Sequence, residues 1–320
     1  MKKKLFVLLA AVLVLAGVAV GYVAYARTGS GGVTENTVPV AEGEVMLGQE
    51  NLLFRNTAEG PGFGKVGAVP VTAAGGPRQL SGLTCDRFAF SKRTGLCLAV
   101  QPGTLPPETD VLIVDEHLRV HHKETLPGTP SRARVSPDGR FAYWTLFVSG
   151  DSYAETGFST RAGIYDTQQS KLIKSIEQLA VFLDGERYYA NDVNYWGITF
   201  ADDGNRFYAT LGSKGHTYLI EGDFKKFRAK VLRDGVECPS LSPDGTRIAF
   251  KKRFGDGWRI AVLELSTLRE TVLAETRSVD DQPLWREESV LYGLGGDTWS
   301  VKADGSGAPL LLVPHAVSPG

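Results

Sequence analysis

Short strand-like runs of hydrophobic residues recur along the chain, and polar turns join them. Six segments share the order strand, polar turn, strand: VGAVPVTAAGGPRQL (66–80), DVLIVDEHLRVHHKETL (110–126), AGIYDTQQSKLIKSI (162–176), TYLIEGDFKKFRAKVL (217–232), RIAVLELSTLRETVL (259–273) and TWSVKADGSGAPLLLV (298–313). Runs of this length that are bounded by turn residues are typical of β-hairpins. The pattern therefore predicts an all-β chain.

A second turn motif opens another set of hairpins. It is Ser-Pro-Asp-Gly in VSPDGRFAYW (135–144) and LSPDGTRIAF (241–250), and Ala-Asp-Asp-Gly in FADDGNRFYA (200–209). Proline presets φ for the second residue of a turn, aspartate can bond its own backbone, and glycine accepts the left-handed conformation. No general base stands beside these serines in the sequence. We therefore interpret the motif as a structural corner and not as a reactive site.

The spacing of these corners predicts the architecture. Corner-like segments begin at Ser91, Ser136, Ala201, Ser242 and Arg286, at separations of 45, 65, 41 and 44 residues. A period in the low forties with four strands per unit is typical of propeller blades, and the 65-residue unit carries extra loop.

Six outer hairpins accompany only five inner ones, so one inner strand is missing from the repeat. The last residues, HAVSPG (315–320), resemble a strand that enters a truncated corner, and GQENLLFR (48–55) resembles the other half of that hairpin. We expect Val317 to pair with the strand around Leu53 and to close a ring without a large exposed sheet edge. The sequence thus predicts one six-bladed β-propeller over residues 45–320.

Three longer segments carry a family resemblance. CDRFAFSKRTGLCL (85–98), DVNYWGITFADDGNRFYATLG (192–212) and VECPSLSPDGTRIAFKKR (236–253) resemble the TolB-like six-bladed propellers, and more narrowly the membrane-anchored TolB-like proteins of actinobacteria. The resemblance covers the chain after the N-terminal segment. It implies the fold more strongly than a function, because such propellers act as binding scaffolds, as periplasmic partners and as domains appended to hydrolases.

The N-terminus has the pattern of a membrane segment. After MKKK, residues 5–26 contain no charge, and 22 residues in a helix span about 33 Å, enough to cross a bilayer. We expect residues 1–26 to be a retained anchor with the remaining chain outside the cytoplasm. Cleavage of a signal peptide after Ala26 is the alternative, which would give a secreted protein. Residues 27–44 are expected to form a tether.

Composition and motifs narrow the possible functions. The 320 residues carry a net charge of −1 and no concentrated basic run, so no nucleic-acid partner is expected. The sequence contains no GxSxG nucleophile elbow. His117, His121 and His122 flank a predicted strand turn, where adjacent side chains point to opposite faces, so we interpret them as surface residues and expect no metal or other cofactor.

Two of the three cysteines are expected to form a disulfide. If Leu241 faces Thr246 across its corner, Cys238 faces Ala249, and by analogy Cys85 faces Cys97. Two buried thiols are the alternative, since a longer turn would shift the register. Cys238 is expected to be unpaired and packed.

Functional residues are expected on one face of the propeller. The corners and the outer-hairpin turns share one face, which we call the corner face. The links between second and third strands and between blades share the other, which we call the loop face. The longest and chemically most varied loops, residues 149–161, 183–196, 251–257 and 278–282, belong to the loop face. The candidate binding residues are Asp151, Tyr153, Arg161, Asp192, Asn194, Tyr195, Trp196, Lys252, Arg253 and Asp281. For Tyr195 and Trp196, packing at the entry to the fourth blade is the alternative.

These observations predict a monomeric, membrane-tethered, extracytoplasmic propeller that acts as a protein-interaction scaffold in the cell envelope and has no catalytic activity. Its partner is expected to be one or more envelope proteins. A hydrolase or lyase with a loop-built site at the channel mouth is the first alternative, and an envelope glycan-binding sensor is the second.

Overall fold

The computed structural model of the chain describes residues 38–48, 50–148 and 159–319, together with four positions in the N-terminal segment. Its contacts divide the chain into two units, and the larger unit comprises Val38–Ala58 and Gly62–Gly320. The described residues of this unit form six β-sheets, and each sheet contacts the next one in sequence around a channel. The predicted all-β six-bladed propeller is confirmed.

The sheets follow the chain as six blades, and the strands of each run from the channel to the outer edge. Blade 1 is β26 (Ala316–Val317), β1 (Asn51–Asn56), β2 (Lys65–Pro70) and β3 (Gln79–Thr84), with a 3-10 turn at Val71–Ala73. Blade 2 is β4 (Arg87–Ser91), β5 (Thr94–Val100), β6 (Glu108–Val114) and β7 (Val120–Pro127). Blade 3 is β8 (Thr129–Val135), β9 (Phe141–Val148), β10 (Ser159–Asp166) and β11 (Lys171–Ile173).

The remaining blades include one enlarged sheet. Blade 4 is β14 (Asn194–Phe200), β15 (Arg206–Ser213), β16 (His216–Asp223) and β17 (Arg228–Arg233), extended by β12 (Ala180–Leu183) and β13 (Glu186–Arg187). Blade 5 is β18 (Glu237–Leu241), β19 (Arg247–Phe254), β20 (Gly257–Glu264) and β21 (Glu270–Val272). Blade 6 is β22 (Leu284–Arg286), β23 (Ser289–Leu294), β24 (Asp297–Lys302) and β25 (Leu310–Val313).

Apolar side chains pack between neighbouring blades and not within any one of them. Each of the six hydrophobic clusters in the described residues draws its members from two adjacent blades. The cluster between blades 6 and 1 contains Phe54, Leu291 and Ala316, all almost fully buried. Because every blade needs both neighbours to bury its faces, the ring must be closed to be stable.

The C-terminal strand closes this ring as predicted. In β26, Val317 pairs with Arg55 and Ala316 with Asn56, which makes β26 the inner strand of blade 1. The Thr298 hydroxyl donates a hydrogen bond to the carbonyl of Ala316 at 2.8 Å and so joins β26 to blade 6. The expected pairing of Val317 with the strand around Leu53 is therefore confirmed.

Arg78 fixes the segment that leads into the closing strand. Its side chain is buried, and its guanidinium donates hydrogen bonds to Asn56 Oδ1 (2.7 Å) and to the carbonyls of Pro314 (2.7 Å) and His315 (2.8 Å). It also lies over the ring of Phe54, 5.1 Å from the centroid. Burial lowers the pKa of Arg78. One arginine therefore connects the first blade to the end of the chain.

The corner motif has the structural role that the sequence predicts. The Ser136 hydroxyl accepts a hydrogen bond from the Phe141 amide at 2.8 Å and donates one to the Asp138 carboxylate, while the Gly139 amide donates to the Ser136 carbonyl. Ser242 and Asp244 repeat these bonds in blade 5. The motif is therefore a hydrogen-bonded turn.

Two loop interpretations are wrong. Residues 183–196 do not form one loop, because β12 pairs in parallel with β17 and β13 pairs with β12 at the outer edge of blade 4. Part of the extra length of this repeat therefore extends a sheet and does not serve the loop face. Likewise, Lys251–Phe254 continue β19, so Gly255 and Asp256 alone form the turn in residues 251–257.

The predicted disulfide is present, but the strand register from which it was inferred is wrong. Leu241 pairs with Ile248 and not with Thr246, and a bulge lies between Glu237 and Ser240. In blade 2 the cross-strand neighbour of Cys97 is Phe88. Cys85 and Cys97 nevertheless form a disulfide, with Cα atoms 5.5 Å apart, because Cys85 lies just before β4 where the chain enters the blade. Cys238 is free and buried.

The N-terminal predictions fall mostly outside the described residues. Of residues 1–26, the structure describes only Leu15, Gly17, Val18 and Gly21, each helical. In the part of the chain that is described, no helix combines the length and hydropathy of a membrane span. From Val38 onward the expected tether contacts the propeller, since Val40 forms a bridge with Arg78 and the Ala41 amide bonds to the Arg78 carbonyl.

Candidate binding site at the mouth of the channel

A pocket of about 300 Å³ opens on the loop face beside the channel, among blades 3, 4 and 5. It combines aromatic and charged side chains, and we call it the aromatic pocket. It is lined by Ser131, Arg132, Phe147, Thr160, Trp196, Glu237, Cys238, Lys251, Trp258 and Asp280. A concave site with an apolar wall and a few convergent polar groups is the usual form of a ligand or anchor-residue site.

Bulges in the inner strands shape this pocket. The pairing shifts register between Pro130 and Arg132 in blade 3, between Trp196 and Thr199 in blade 4, and between Glu237 and Ser240 in blade 5. A bulge bends its strand and changes the direction of the local side chains. All three inner strands therefore depart from regular pairing at the same level of the channel.

Gly197 and Cys238 bring two of these bulges into direct contact. Both residues are in the left-handed region, with φ of 62° and 50° respectively. A Cβ atom on residue 197 would lie 2.5 Å from the Cα of Cys238, so only glycine fits at this position. For a non-glycine residue such as Cys238, a backbone of this kind costs about 1–3 kcal/mol. The Cys238 amide donates to the Thr210 hydroxyl at 2.9 Å, which helps to hold this conformation.

Asp280 organises the charges of the pocket. It forms ion pairs with Arg132 at 2.8 Å and with Lys251, whose side chains are 9% and 5% exposed, while its own is 57% exposed. Burial tends to raise the pKa of Asp280, but the charges of Lys251 and Arg132 dominate and lower it. The carboxylate is therefore held ionised at the rim, above two buried cations.

Trp258 is fixed from several sides. Its indole N–H donates to Glu237 Oε1 at 3.0 Å, and its ring lies 4.3 Å from Lys251 Nζ and 4.6 Å from the Arg253 guanidinium. Cation–π contacts of this kind contribute about 0.5–2 kcal/mol each. Trp196 packs on Gly212, where a Cβ atom would overlap its ring. Both tryptophans are therefore rigid, half-buried walls.

A second cavity of about 480 Å³ adjoins Asp280 on the side of blades 1, 2, 3 and 6. We call it the arginine pocket. It is lined by Arg55, Thr57, Asp86, Arg87, Pro130, Asp280, Asp281, Gly293, Leu294, Gly295, Gly296 and Val317. The two pockets share Asp280, so the mouth is a continuous surface with an aromatic side and an arginine side.

Three of the sequence-predicted residues belong to this region. Trp196 lines the aromatic pocket, Arg253 lies against Trp258, and Asp281 lines the arginine pocket. The Asp281 carboxylate is buried, however, and accepts the amides of Gln282 (2.9 Å) and Gly293 (2.8 Å). Its role is to hold the loop before blade 6. Lys252 forms an ion pair with Glu270 of the outer strand β21.

The prediction for Tyr195 as an exposed binding residue is wrong. Its side chain is 1% exposed and belongs to the core between blades 3 and 4, where burial raises the pKa of the phenol. Tyr195 and Trp196 are adjacent on a strand, so their side chains point to opposite faces. Only Trp196 reaches the mouth.

Asp192 and Asn194 support loops. The Asp192 carboxylate accepts hydrogen bonds from the Ser213 hydroxyl and the Lys214 amide, which lower its pKa. Asn194 Oδ1 accepts bonds from the Ser159 hydroxyl and the Thr160 amide, both at 3.0 Å. Arg161 lies on β10, while Asp151 and Tyr153 lie outside the described residues.

Sequence reasoning misses most of the charged residues at the mouth. Arg132 and Lys251 are basic residues inside strands, and each becomes largely buried against Asp280. A basic residue at an inward position of an inner strand is the signal that could have identified Arg132. The sequence around Asp280 suggests only a solvated loop, and Trp258 carries no local signal.

His121 and His122, which are adjacent on β7, contact different groups. His121 contacts Asp115 at 3.2 Å, and His122 stacks on Tyr165 with ring centroids 4.3 Å apart, so the two side chains have different environments. Among the described residues, no group of three or more His, Cys, Asp or Glu side chains is arranged to hold a metal ion.

Solved structures share the propeller fold. TolB from Acinetobacter baumannii is 18% identical with a TM-score of 0.55, over 86% of this chain and 67% of that one. Oligogalacturonate lyase from Vibrio parahaemolyticus is 11% identical with a TM-score of 0.53, over 82% and 73%. The periplasmic gluconolactonase of Pseudomonas aeruginosa is 13% identical with a TM-score of 0.50, over 84% and 98%.

At these identities the similarity establishes the fold alone, and the fold occurs in enzymes as well as in TolB. No protein-family model matches the chain, and no curated protein matches it.

Proposed function

We propose that this protein is an extracytoplasmic propeller, tethered to the membrane by residues 1–26, that binds an envelope protein through its loop face. The observation that supports this function is the aromatic pocket, where two fixed tryptophans stand beside charged groups. Fixed aromatic side chains and arginines in a desolvated setting are typical of binding hot spots. A volume of about 300 Å³ suits one or two large side chains of a partner.

The surroundings of the pocket suit a protein–protein contact. Phe254, at the tip of β19, is 67% exposed, and Phe147 is 41% exposed. Arg253 is exposed and lies over the ring of Trp258. An apolar anchor site with a charged rim is the usual arrangement of a non-obligate interface.

The charged groups support binding more than catalysis. Asp280 holds two cations with a lowered pKa, and Glu237 accepts the Trp258 indole N–H. An efficient general acid or base has a pKa near the operating pH, and the pKa of Asp280 is lowered away from it. We therefore propose that these carboxylates act as fixed charges and that the protein has no reaction of its own.

The proposal is tested by charge reversal on the two faces. The loop-face variant carries Lys252→Glu and Arg253→Glu, and the matched corner-face variant carries Lys92→Glu and Arg93→Glu, so both change the net charge equally. After melting curves establish folding, each is crosslinked in the native cells and the captured proteins are compared. We expect the loop-face variant alone to lose a specific captured protein. Loss with the corner-face variant alone would contradict the proposal.

A further inference from the structure

Arg87 differs from the other basic residues at the channel mouth. Arg132 is paired with Asp280, and Arg55 Nε donates to the Cys85 carbonyl at 3.0 Å. Arg134, two residues further along the same strand as Arg132, donates to the carbonyls of Ala133 and Gln282. For the guanidinium of Arg87 the described part of the chain provides neither a hydrogen bond nor an ion pair. Arg87 therefore presents an uncommitted cation to the arginine pocket.

The nearby carboxylates already have other donors. Asp86 accepts the Val100 amide at 2.8 Å, and Asp281 accepts the amides of Gln282 and Gly293. Asp280 is shared by Arg132 and Lys251. In the described residues none of these carboxylates forms a hydrogen bond or an ion pair with Arg87, although the charges of Asp281 and Asp280 act on it from a distance.

The electrostatic setting of Arg87 favours an added anion. Burial lowers the pKa of Arg87, and the charges of Arg132 and Arg55 lower it further, while the charges of Asp281 and Asp280 oppose these effects without reversing them. A partly buried cation without a bonded partner is costly, and an anionic ligand would relieve that cost. Guanidinium groups bind carboxylates and phosphates through paired N–H donors.

We propose that the arginine pocket is a binding site for a small carboxylate ligand, with Arg87 as its principal donor. The cavity of about 480 Å³ is large enough for a ligand of several carboxyl groups. An extended ligand of several carboxyl groups can place one carboxylate on Arg87 and its other charges away from Asp86 and Asp281, whereas phosphate concentrates its charge at one point. This inference does not rest on the proposed function, because a small ligand can bind whether or not a protein partner does.

The test is calorimetric titration of the purified protein with citrate and, separately, with inorganic phosphate at constant ionic strength. We expect citrate to bind to the unmodified protein and its affinity to fall at least tenfold in Arg87→Gln. Arg87→Lys should retain part of the affinity, because the charge remains while the paired donors are lost. Arg119→Gln, an exposed arginine on the corner face, is the control and should bind citrate unchanged.

A second readout separates ligand binding from a structural role. Because Arg87 has no fixed partner, Arg87→Gln should melt at the same temperature as the unmodified protein or higher when citrate is absent, and citrate should no longer raise its melting temperature. A lower melting temperature in the absence of citrate would make Arg87 a structural residue. Absence of citrate binding, tighter binding of phosphate, or equal binding to Arg87→Gln would each overturn the proposal.

Discussion

Replacing Arg78 with alanine should weaken the closure of the ring, where β26 joins blade 1. The substitution removes three hydrogen bonds and leaves Asn56 Oδ1 and the carbonyls of Pro314 and His315 without this donor. Hydrogen bonds from a charged group contribute about 1.5–3 kcal/mol each, but the desolvation of a buried guanidinium offsets part of that sum. We expect the free energy of unfolding to fall by about 3–5 kcal/mol.

A double-mutant cycle shows whether this loss comes from ring closure. Deleting residues 314–320 removes β26 and two of the three acceptors of Arg78. In the truncated protein, Arg78→Ala should therefore cost only about 1–2 kcal/mol, which corresponds to one remaining bond. The coupling energy should be about 2–3 kcal/mol.

The assay is urea unfolding followed by the fluorescence of the five tryptophans. Arg78→Lys, which can reach one acceptor, should lie between the unmodified protein and the alanine variant. Arg119→Ala, an exposed control, should change stability by less than about 0.5 kcal/mol. If the truncated protein is unfolded even without urea, the comparison of Arg78→Lys with Arg78→Ala still tests the hydrogen bonds of the Arg78 side chain. Additive costs of substitution and truncation, or a cost below about 1 kcal/mol for Arg78→Ala, would show that Arg78 does not hold the closing strand.

Three further predictions follow from chemistry elsewhere in the chain. Denatured protein should show one reactive thiol, from Cys238, before reduction and three after reduction. Three reactive thiols without reductant would exclude the Cys85–Cys97 bond. Loss of this bond should lower the free energy of unfolding by about 2–3 kcal/mol. Burial tends to raise the pKa of Glu275, but hydrogen bonds from Arg277 and Tyr292 lower it from 4.5 to about 2. The folded-state pKa is thus depressed, so Glu275 stabilises the protein above about pH 4.5 by up to roughly 3 kcal/mol and loses this effect as the pH falls toward 2. In Glu275→Gln the free energy of unfolding should depend less on pH in this range. An unchanged dependence between pH 5 and 2.5 would contradict this prediction. Finally, mass spectrometry of the membrane fraction should detect peptides from before Arg27, while a mature N-terminus at Arg27 would exclude the anchor.

The sequence predicts the parts of this fold that depend on local chemistry. Ser-Pro-Asp-Gly bonds its own backbone, so Ser136 and Ser242 mark corners that can be identified without the structure. The closing strand could be predicted because the repeat lacks one inner strand. The parallel pairing of β12 with β17 could not, since it joins segments nearly fifty residues apart along an edge that no local pattern specifies.

The candidate site is predicted less completely because it is built from distant residues. Arg132 and Asp280 are separated by 148 positions, and only ring closure brings them together. The bulges at Gly197 and Cys238 shift the strand register. Counting residues along a regular hairpin therefore assigns cross-strand neighbours that are one or two positions away from the real ones. Strand alternation shows that Tyr195 and Trp196 point to opposite faces of blade 4, but both faces of a blade pack on neighbouring blades, so alternation alone could not show which ring reaches the mouth.

The most direct test of a loop-face binding site is photo-crosslinking from a single exposed position on each face. Benzoylphenylalanine replaces Phe254, which is 67% exposed on the loop face, or Lys92, which is exposed on the corner face. Both proteins are irradiated in the native cells under identical conditions. A binding site on the loop face should give a discrete adduct with an envelope protein from position 254 and none from position 92. An adduct that forms only from position 92 would place the binding site on the corner face instead.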